Sequence, residues 1–345
     1  MPGSAKDVWV DMLGTSRLDE NAERYEICVP SPHLTDTMSL LFRFSAAALS
    51  LVLSACSAGQ SARMAGAMNN AYSRPAAYQP GFDVGAEPMF AASNVPAIRA
   101  ASYLLIDAGN GKLLASKSSE TARGVASTQK IVTALVVLDA GDLDKTVTVQ
   151  ASDIRVEPTT LGLRAGERYT RRHLLYAFLV KSANDVANVL ARDNAGSISA
   201  FAAKMNAKVR SLGCSNSNFK NPHGLTASGQ YSTARDMGRL AMAAYQNPII
   251  RDIVRRPYYT FRRSDGRTVT LKNTNMLLGA MPECNGMKTG YTVAAGRCLI
   301  STASSRGKNV ILIQLGTKTK YIWDDARTLM TWGLQRAKSG GVAMN

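Results

Sequence analysis

Residues 126–138 read ASTQKIVTALVVL, with a serine and a lysine three positions apart at the start of a long apolar run. Positions i and i+3 lie on the same side of a helix, so Ser127 and Lys130 are expected to touch. The residues after Lys130 are apolar on nearly every side, which is the pattern of a helix buried in a core. This stretch predicts a central, buried helix that carries a hydroxyl and an amine in its first turn.

This pairing suits nucleophilic catalysis. Burial disfavours a charged ammonium, so it lowers the pKa of Lys130 and makes the amine a usable base. The hydroxyl of Ser127 becomes a good nucleophile only when such a base takes its proton. Free N–H groups at the helix start also favour the negative oxygen of a tetrahedral intermediate. Because an SxxK pattern alone is common, the interpretation depends on further motifs.

Two further motifs follow in the chain. The SAN of residues 182–184 interrupts two apolar helical stretches, LLYAFLV and DVANVLA, so we expect it in a loop between helices. The hydroxyl of Ser182 can pass a proton between lysine and leaving group, and Asn184 can hold a substrate amide. The KTG of residues 288–290 falls on a predicted strand, where its lysine keeps the neighbouring amine neutral and attracts a carboxylate. The glycine, Gly290, lets substrate backbone approach closely.

Strand patterns stand at both ends of the folded part. Residues 102–106 and 112–116 flank the turn DAGNG, which predicts a hairpin. Three more strands are predicted within residues 284–318, followed by a helix over about residues 321–336. Between these ends, from residue 127 to about 275, the pattern is mostly helical. Strands at both ends around a helical middle predict an α+β fold, with one antiparallel sheet made from both termini and helices packed on it.

The charge of the chain is strongly positive. The 345 residues are 46% hydrophobic and carry a net charge of +16. Residues 1–37 hold three basic and seven acidic residues, so the remaining 308 carry +20. Such a balance favours anionic neighbours such as acidic lipid or a charged cell-wall polymer. No helix-turn-helix, zinc-ligand or aromatic-plus-basic signature accompanies it, so no nucleic acid partner is expected.

A targeting signal is predicted near the start of the chain. Residues 38–56 combine a short basic start, an apolar stretch and small residues, which indicates a secretory signal peptide, and its end, LSAC, resembles the lipobox of bacterial lipoproteins, where a cysteine is acylated. Cys56 is then the lipidation site of an exported, membrane-anchored lipoprotein that faces the periplasm or cell wall. Residues 1–37 are interpreted as an extension upstream of a true start at Met38. Residues 57–95 are predicted to be a flexible tether, and residues 96–338 the catalytic domain.

The three motifs together resemble those of serine-type D-alanyl-D-alanine carboxypeptidases, the low-molecular-mass penicillin-binding proteins. They occur in the family's order, at intervals of 55 and 106 residues. The stretches KSANDVA, KNPHGL, YSTARDM, LKNTNMLL and GMKTGYTVAAGRCL also match the family's style. The resemblance implies a β-lactamase/transpeptidase-like fold and an acyl-enzyme mechanism on peptidoglycan stem peptides. It also implies inhibition by β-lactam antibiotics, with no metal and no cofactor.

Site residues follow from the resemblance by motif. Ser127 is implied to be the nucleophile and Lys130 its base, and Ser182 and Asn184 are implied to serve proton relay and substrate positioning.

The third motif supplies the implied substrate-binding residues Lys288, Thr289, Gly290 and Tyr291. Lys288 and Thr289 are implied to bind the terminal carboxylate. The backbone N–H groups of Ser127 and Tyr291 are implied to form the oxyanion hole. The sequence departs from the family's pattern at Val125, where proline is frequent, and at Cys284-Asn285, where an acidic residue is common.

Other functions remain open at this point. A D-alanyl-D-alanine endopeptidase uses the same catalytic set. A class A β-lactamase needs a glutamate between its second and third motifs, and Glu283, close to the KTG strand, is the sole glutamate there. A penicillin-binding scaffold without turnover is a non-enzymatic alternative. A Ser-His-Asp triad is disfavoured because His173 and His223 are both interpreted as structural. Cys284 and Cys298 are either a disulfide or two free thiols.

Overall fold

The computed structural model describes residues 94–337. The predicted extension (1–37), signal peptide with Cys56 (38–56) and all but the end of the predicted tether lie outside the described residues. Within the described range, no helix has both the length and the apolar character that crossing a membrane requires.

Nine strands and seven helices form the described part of the chain. The strands are β1 (Ser102–Asp107), β2 (Leu113–Lys117), β3 (Thr146–Thr148), β4 (Arg168–Thr170), β5 (Tyr258–Arg262), β6 (Thr268–Lys272), β7 (Cys284–Thr292), β8 (Gly296–Ser305) and β9 (Lys308–Thr317). The helices are α1 (Lys130–Asp139), α2 (Arg171–Lys181), α3 (Asn184–Ala195), α4 (Ile198–Ser211), α5 (Ala234–Gln246), α6 (Pro248–Val254) and α7 (Ile322–Arg336).

The main sheet has the order β2-β1-β9-β8-β7, and all neighbouring strands are antiparallel. It therefore joins strands from both ends of the described chain, as predicted. The apolar runs and the glycine-rich turns predicted these strands, and the final helix also lies where the sequence indicated it.

The prediction of a mostly helical middle is wrong for residues 258–272. These residues form β5 and β6, an antiparallel hairpin in which Tyr258 pairs with Lys272 and Arg262 with Thr268. Aromatic and β-branched residues stand on both sides of the turn sequence SDG, and such residues favour a pleated, half-buried surface over a helix.

The main sheet carries helices on both faces. Neighbouring strand residues point to opposite faces, so Leu104 and Leu105 of β1 belong to different cores. Leu104 packs against Gly238 of α5, and Leu105 packs against Gly333 of α7. The first core includes helices α1 to α6, and the second is built by α7 and the segment before β1.

The three cysteines of the described chain are buried and free. In the β7–β8 register, Cys284 pairs with Ala303 while Cys298 pairs with Gly290. The two cysteines are therefore not opposite each other, because the turn between the two strands lies after Thr292. Of the two alternatives, the structure has free thiols.

Candidate active site

Ser127 lies in a short 3-10 turn, Ala126–Gln129, that leads directly into α1. The turn begins with a strained residue, because Ala126 has a φ of 47°, in the left-handed region that non-glycine residues rarely adopt. The side chain of Ser127 is half-buried, whereas Lys130 behind it is buried completely. The buried helix predicted after the SxxK motif is confirmed, with the serine just outside its first turn.

Two glycines pack against this turn from different sides. A Cβ added to Gly290 of β7 would lie 2.8 Å from the backbone nitrogen of Ser127. A Cβ added to Gly224 would lie 2.2 Å from the carbonyl oxygen of Ala126. Any side chain at either position would displace backbone, so these glycines set the position of the serine.

The ammonium nitrogen of Lys130 lies at the centre of a hydrogen-bond cluster. Its Nζ is 2.9 Å from Ser127 Oγ, 2.7 Å from Asn184 Oδ1 and 2.6 Å from the carbonyl oxygen of His223. Ser127 Oγ also donates to the same His223 oxygen at 3.1 Å. The lysine is therefore aimed at the serine and is within proton-transfer distance of it.

The pKa of Lys130 is held well below its usual value. Burial is the largest cause, because the surrounding protein disfavours the charged form. The positive charge of Lys288 lowers this pKa further, while the carboxylate of Asp185 raises it. Both causes predicted from the sequence, burial and a neighbouring lysine, act in the predicted direction.

The SAN motif forms the junction between α2 and α3, as predicted. Ser182 ends α2 with a φ of 66°, and Asn184 is the first residue of α3. This left-handed residue turns the chain sharply, so that Asn184 reaches Lys130. Within residues 94–337 the Ser182 hydroxyl has no hydrogen-bond partner, so its relay role stays a prediction.

The loop before β4 holds Asn184 in place. Asn184 Nδ2 donates to the carbonyl oxygen of Pro158 at 2.5 Å, and its backbone N–H donates to Thr159 at 2.8 Å. The next residue, Asp185, accepts N–H groups from Leu161 and Leu163 of the same loop. The amide is fixed on both sides, which orients its oxygen toward Lys130.

Lys288 and Thr289 of β7 differ in exposure. Lys288 is 1% exposed, and its Nζ donates to the carbonyl oxygen of Thr289 at 3.0 Å. Burial lowers the pKa of Lys288 to about 7. Thr289 is half-buried, and its hydroxyl lies 2.6 Å from that of Thr274. The threonine hydroxyl is therefore the accessible group of this pair, and Lys288 acts on Lys130 through its charge.

Tyr291 directly follows the glycine that touches the serine turn. Its side chain is 52% exposed, and the Arg297 guanidinium lies 4.5 Å from its ring centroid. β7 has a neighbouring strand on one side only, so backbone groups on its other side are not used by the sheet. Because the adjacent Gly290 packs against the Ser127 backbone nitrogen, the Tyr291 backbone lies near the Ser127 turn, where the oxyanion hole is predicted.

Sequence reasoning missed the contribution of residues 220–230. Thr133 of α1 donates to the carbonyl oxygen of Pro222 at 2.7 Å, and Gln129 Nε2 donates to that of Asn221 at 2.6 Å. Gln230 Oε1 in turn accepts from the backbone N–H of Asn221 at 3.3 Å. These bonds fix the His223 carbonyl that Lys130 and Ser127 share. The stretch KNPHGL was noticed, but a backbone carbonyl has no signature of residue type.

No histidine side chain and no glutamate among the remaining candidates takes part in the described cluster around Lys130. His173 bonds to Tyr259 Oη and the Arg262 carbonyl with its two ring nitrogens, so it is structural, as interpreted. His223 is half-buried, and this desolvation of its ring lowers its pKa to about 3, with the charge of Lys130 adding to the effect. Glu283 precedes β7, and five positions of extended chain separate it from Lys288 by about 16 Å. Among the described residues, no three His, Cys, Asp or Glu side chains form a metal-binding group.

Residues 89–319 match a family model described as D-alanyl-D-alanine carboxypeptidase. The chain belongs to this family. D-alanyl-D-alanine carboxypeptidase DacB2 of Mycobacterium tuberculosis is 34% identical over 245 residues, which cover 69% of this chain and 84% of that protein. A D-alanyl-D-alanine endopeptidase of Escherichia coli is 35% identical over 246 residues, which cover 69% of this chain and 78% of that protein.

A solved structure extends the likeness of this D-alanyl-D-alanine carboxypeptidase family member to three dimensions. The crystal structure of Streptomyces K15 DD-transpeptidase has a TM-score of 0.67 at 32% identity, covering 70% of this chain and 99% of that one. The predicted α+β fold of the β-lactamase/transpeptidase type is thereby confirmed.

Proposed function

We propose that this chain is a serine-type D-alanyl-D-alanine carboxypeptidase that removes the terminal D-alanine of peptidoglycan stem peptides. The observation that carries the proposal is the contact of 2.9 Å between Lys130 Nζ and Ser127 Oγ, in a site where burial lowers the pKa of the lysine. Membership of the family supports the reaction, and this contact supports Lys130 as the base that activates Ser127.

Acylation begins with the neutral amine of Lys130, which takes the proton of Ser127 Oγ as that oxygen attacks the carbonyl between the two D-alanines. The N–H groups of Ser127 and Tyr291 stabilise the oxyanion. The proton passes from Lys130 through Ser182 to the leaving amine, so that D-alanine departs and an ester remains on Ser127.

Deacylation uses the same groups in the reverse direction. Water enters the space that D-alanine leaves and gives a proton to Lys130 as it attacks the ester. Collapse of the second tetrahedral intermediate returns the proton to Ser127 Oγ. Asn184 holds the stem-peptide amide in both steps, and Thr289 binds the carboxylate of the uncleaved peptide together with the charge of Lys288.

The test is to incubate the purified full chain with a soluble stem pentapeptide and to measure free D-alanine. We expect one free D-alanine for each pentapeptide consumed, over many turnovers of the enzyme, and no release by Ser127→Ala. No release by a folded wild-type protein would contradict the proposal and favour a scaffold.

A second candidate function is cleavage of D-alanyl crosslinks, favoured by the 35% identity to an endopeptidase. A crosslinked stem-peptide dimer separates the two functions, because only an endopeptidase converts it to monomers. Cleavage of the dimer faster than trimming of the pentapeptide would put this second function first.

Penicillin distinguishes this proposal from the β-lactamase alternative. Its ring opening leaves the departing nitrogen tethered to the acyl group, where it obstructs water, and Glu283 lies before the start of β7, five residues from Lys288. We expect a penicilloyl adduct on Ser127 that lasts for minutes or longer, seen as an intact-mass increase equal to the whole drug. Return to the native mass within seconds would favour a β-lactamase.

We further propose export and lipid anchoring at Cys56, which brings the basic domain near anionic polymer. Expression from Met38 is expected to give a membrane-bound protein, and Cys56→Ser to block lipid labelling and signal removal. Recovery from cells of an unlipidated protein that still carries residues 1–37 would contradict both.

A further inference from the structure

The β5–β6 hairpin buries only one of its two faces. On the inner face, the Phe261 ring stacks on His173 with centroids 4.2 Å apart, and the Tyr259 ring lies 4.9 Å from that of Tyr176. The opposite side of the hairpin, called here the outer face, consists of three cross-strand pairs of exposed residues: Tyr258 with Lys272, Thr260 with Thr270, and Arg262 with Thr268.

The outer face is rich in hydrogen-bonding and positively charged groups. It has three threonines, one tyrosine, one arginine and one lysine, and no acidic residue. In residues 251–272 seven basic residues stand against two acidic ones. Both acids, Asp252 and Asp265, already pair with arginines of this segment. The outer face therefore favours a polyanionic partner.

The hairpin connects two walls of the active site. At its base, two residues beyond Lys272, the Thr274 hydroxyl lies 2.6 Å from that of Thr289. At its tip, the Arg263 guanidinium donates to the carbonyl oxygens of Leu161 and Gly162, at 2.8 and 3.0 Å. Those two residues follow the segment that holds Asn184. The hairpin therefore borders the active site at both its base and its tip.

We propose that the outer face is a secondary binding surface for polymeric peptidoglycan, which engages the polymer beyond the stem peptide held at Ser127. The proposal rests on the proposed function. The row from Lys272 to Thr268 spans about 13 Å, whereas the two terminal residues of a stem peptide extend about 7 Å. The outer face is thus long enough to bind parts of the polymer that a small peptide lacks.

The chemistry of the outer face fits such a polymer. Peptidoglycan presents sugar rings, hydroxyls, amides and free carboxylates. Tyr258 is 56% exposed and offers a ring that can cover a sugar face. The threonine hydroxyls match sugar and amide groups, and Arg262 and Lys272 match carboxylates. A lipid surface fits less well, because membrane-inserting faces carry several large apolar side chains and the outer face has one aromatic residue.

The experiment compares two double variants of the full chain. Arg262→Ser/Lys272→Ser removes two charges from the outer face. Lys112→Ser/Arg210→Ser removes the same charge from two exposed residues elsewhere, in the β1–β2 turn and on α4. Binding to insoluble peptidoglycan sacculi is measured by co-sedimentation, D-alanine release is measured with a soluble pentapeptide, and melting curves check the fold.

We expect the outer-face variant to bind sacculi about tenfold more weakly and with a smaller salt dependence. The control variant should bind like the wild type, and both should release D-alanine from the soluble peptide within about twofold of the wild-type rate. Equal sacculus binding by the two variants, or none by the wild type, overturns the proposal.

Vesicles of equal parts phosphatidylglycerol and phosphatidylcholine test the other anionic partner. Loss of vesicle binding in the outer-face variant with unchanged sacculus binding assigns the face to lipid and overturns the proposal. Failure of every protein, wild type included, to release D-alanine overturns the proposed function instead, so the two failures are distinguishable.

Discussion

The two faces of the main sheet bury different kinds of side chain. Under α7 the core is built mainly from aliphatic and aromatic residues, among them Leu105, Leu312, Leu329 and Met330. On the opposite face two lysines, Lys130 and Lys288, are buried to 1% exposure or less. The first face gains stability from burial. The second face loses stability, because burial disfavours the charged forms of the two amines. The same burial lowers the pKa of Lys130 and so makes its amine a base.

The first prediction tests whether the buried amine of Lys130 is needed for chemistry. Lys130→Met keeps a flexible chain of similar length but removes the proton acceptor, so acylation should fall by at least about 10³-fold. The measurement is the rate of penicilloyl adduct formation by intact mass, beside D-alanine release. Ser127→Ala sets the background, and a variant rate above a tenth of the wild-type rate would contradict the assigned role.

The second prediction compares a glycine on each face. Gly290→Ala places a Cβ 2.8 Å from the Ser127 backbone nitrogen, whereas Gly333→Ala places one 2.8 Å from the end of the Leu105 side chain. The first change must move backbone, so acylation should fall about 10²-fold. The second change moves a side chain, so it should cost about 1–3 kcal/mol of stability and leave turnover per folded molecule within about twofold. Similar losses of turnover in both variants would contradict the claim that Gly290 supports catalysis whereas Gly333 supports only stability.

The third prediction concerns the stability cost of Lys288. Burial lowers its pKa to about 7 in the folded protein, from 10.5 in the unfolded chain. Below pH 7 the folded protein bears the full stability cost of burying Lys288, because the unfolded chain binds the proton more tightly. This cost disappears as the pH rises through about 10.5, where the amine becomes neutral in both states. Lys288→Met removes the group, so the free energy of unfolding at pH 7 should rise by roughly 2–3 kcal/mol after the lost hydrogen bond is allowed for.

Urea denaturation at two pH values checks this expectation. The gain from Lys288→Met should shrink to less than about 1 kcal/mol near pH 10.5, where the amine is neutral in both states. Leu312→Met, on the α7 face, is the control, and its effect should not change with pH. A gain for Lys288→Met that is equal at both pH values would contradict burial of the amine as its cause.

The smallest effect is expected from reducing agents. The structure has free thiols at Cys284 and Cys298, and burial raises the pKa of both. Dithiothreitol should therefore shift the melting temperature by less than about 1 °C, since residues 94–337 contain no disulfide that it could reduce. Alkylation of the native protein should also be slow. A lower melting temperature on reduction would indicate a disulfide.

Sequence patterns predicted the parts of the site that depend on spacing along one element. The spacing of three positions from Ser127 to Lys130 brings the two side chains together, and the KTG motif lies on a strand as expected. The burial of Lys288 was less predictable, because the sequence shows the residue type but not that the side chain folds back onto the carbonyl oxygen of Thr289.

Contacts between distant segments could not be read from the sequence. The His223 carbonyl meets Lys130 because Gly224 permits a close approach and Gln129 holds the loop, and both effects need the fold. The β5–β6 hairpin was predictable in principle, because Tyr, Thr, Phe and Val flank an SDG turn. It was missed because the helical period on its N-terminal side was extended too far.

The described chain begins on the α7 side of the sheet. Trp332 Nε1 donates to the carbonyl oxygen of Asn94 at 2.7 Å, and Ile98 packs into the α7 core. Ser127 lies on the other side of the same sheet. A pull on the N-terminal segment therefore rotates the domain until α7 faces the source of the pull and the catalytic side faces away. Under the anchoring proposed at Cys56, tension at Asn94 would therefore direct the active site away from the membrane.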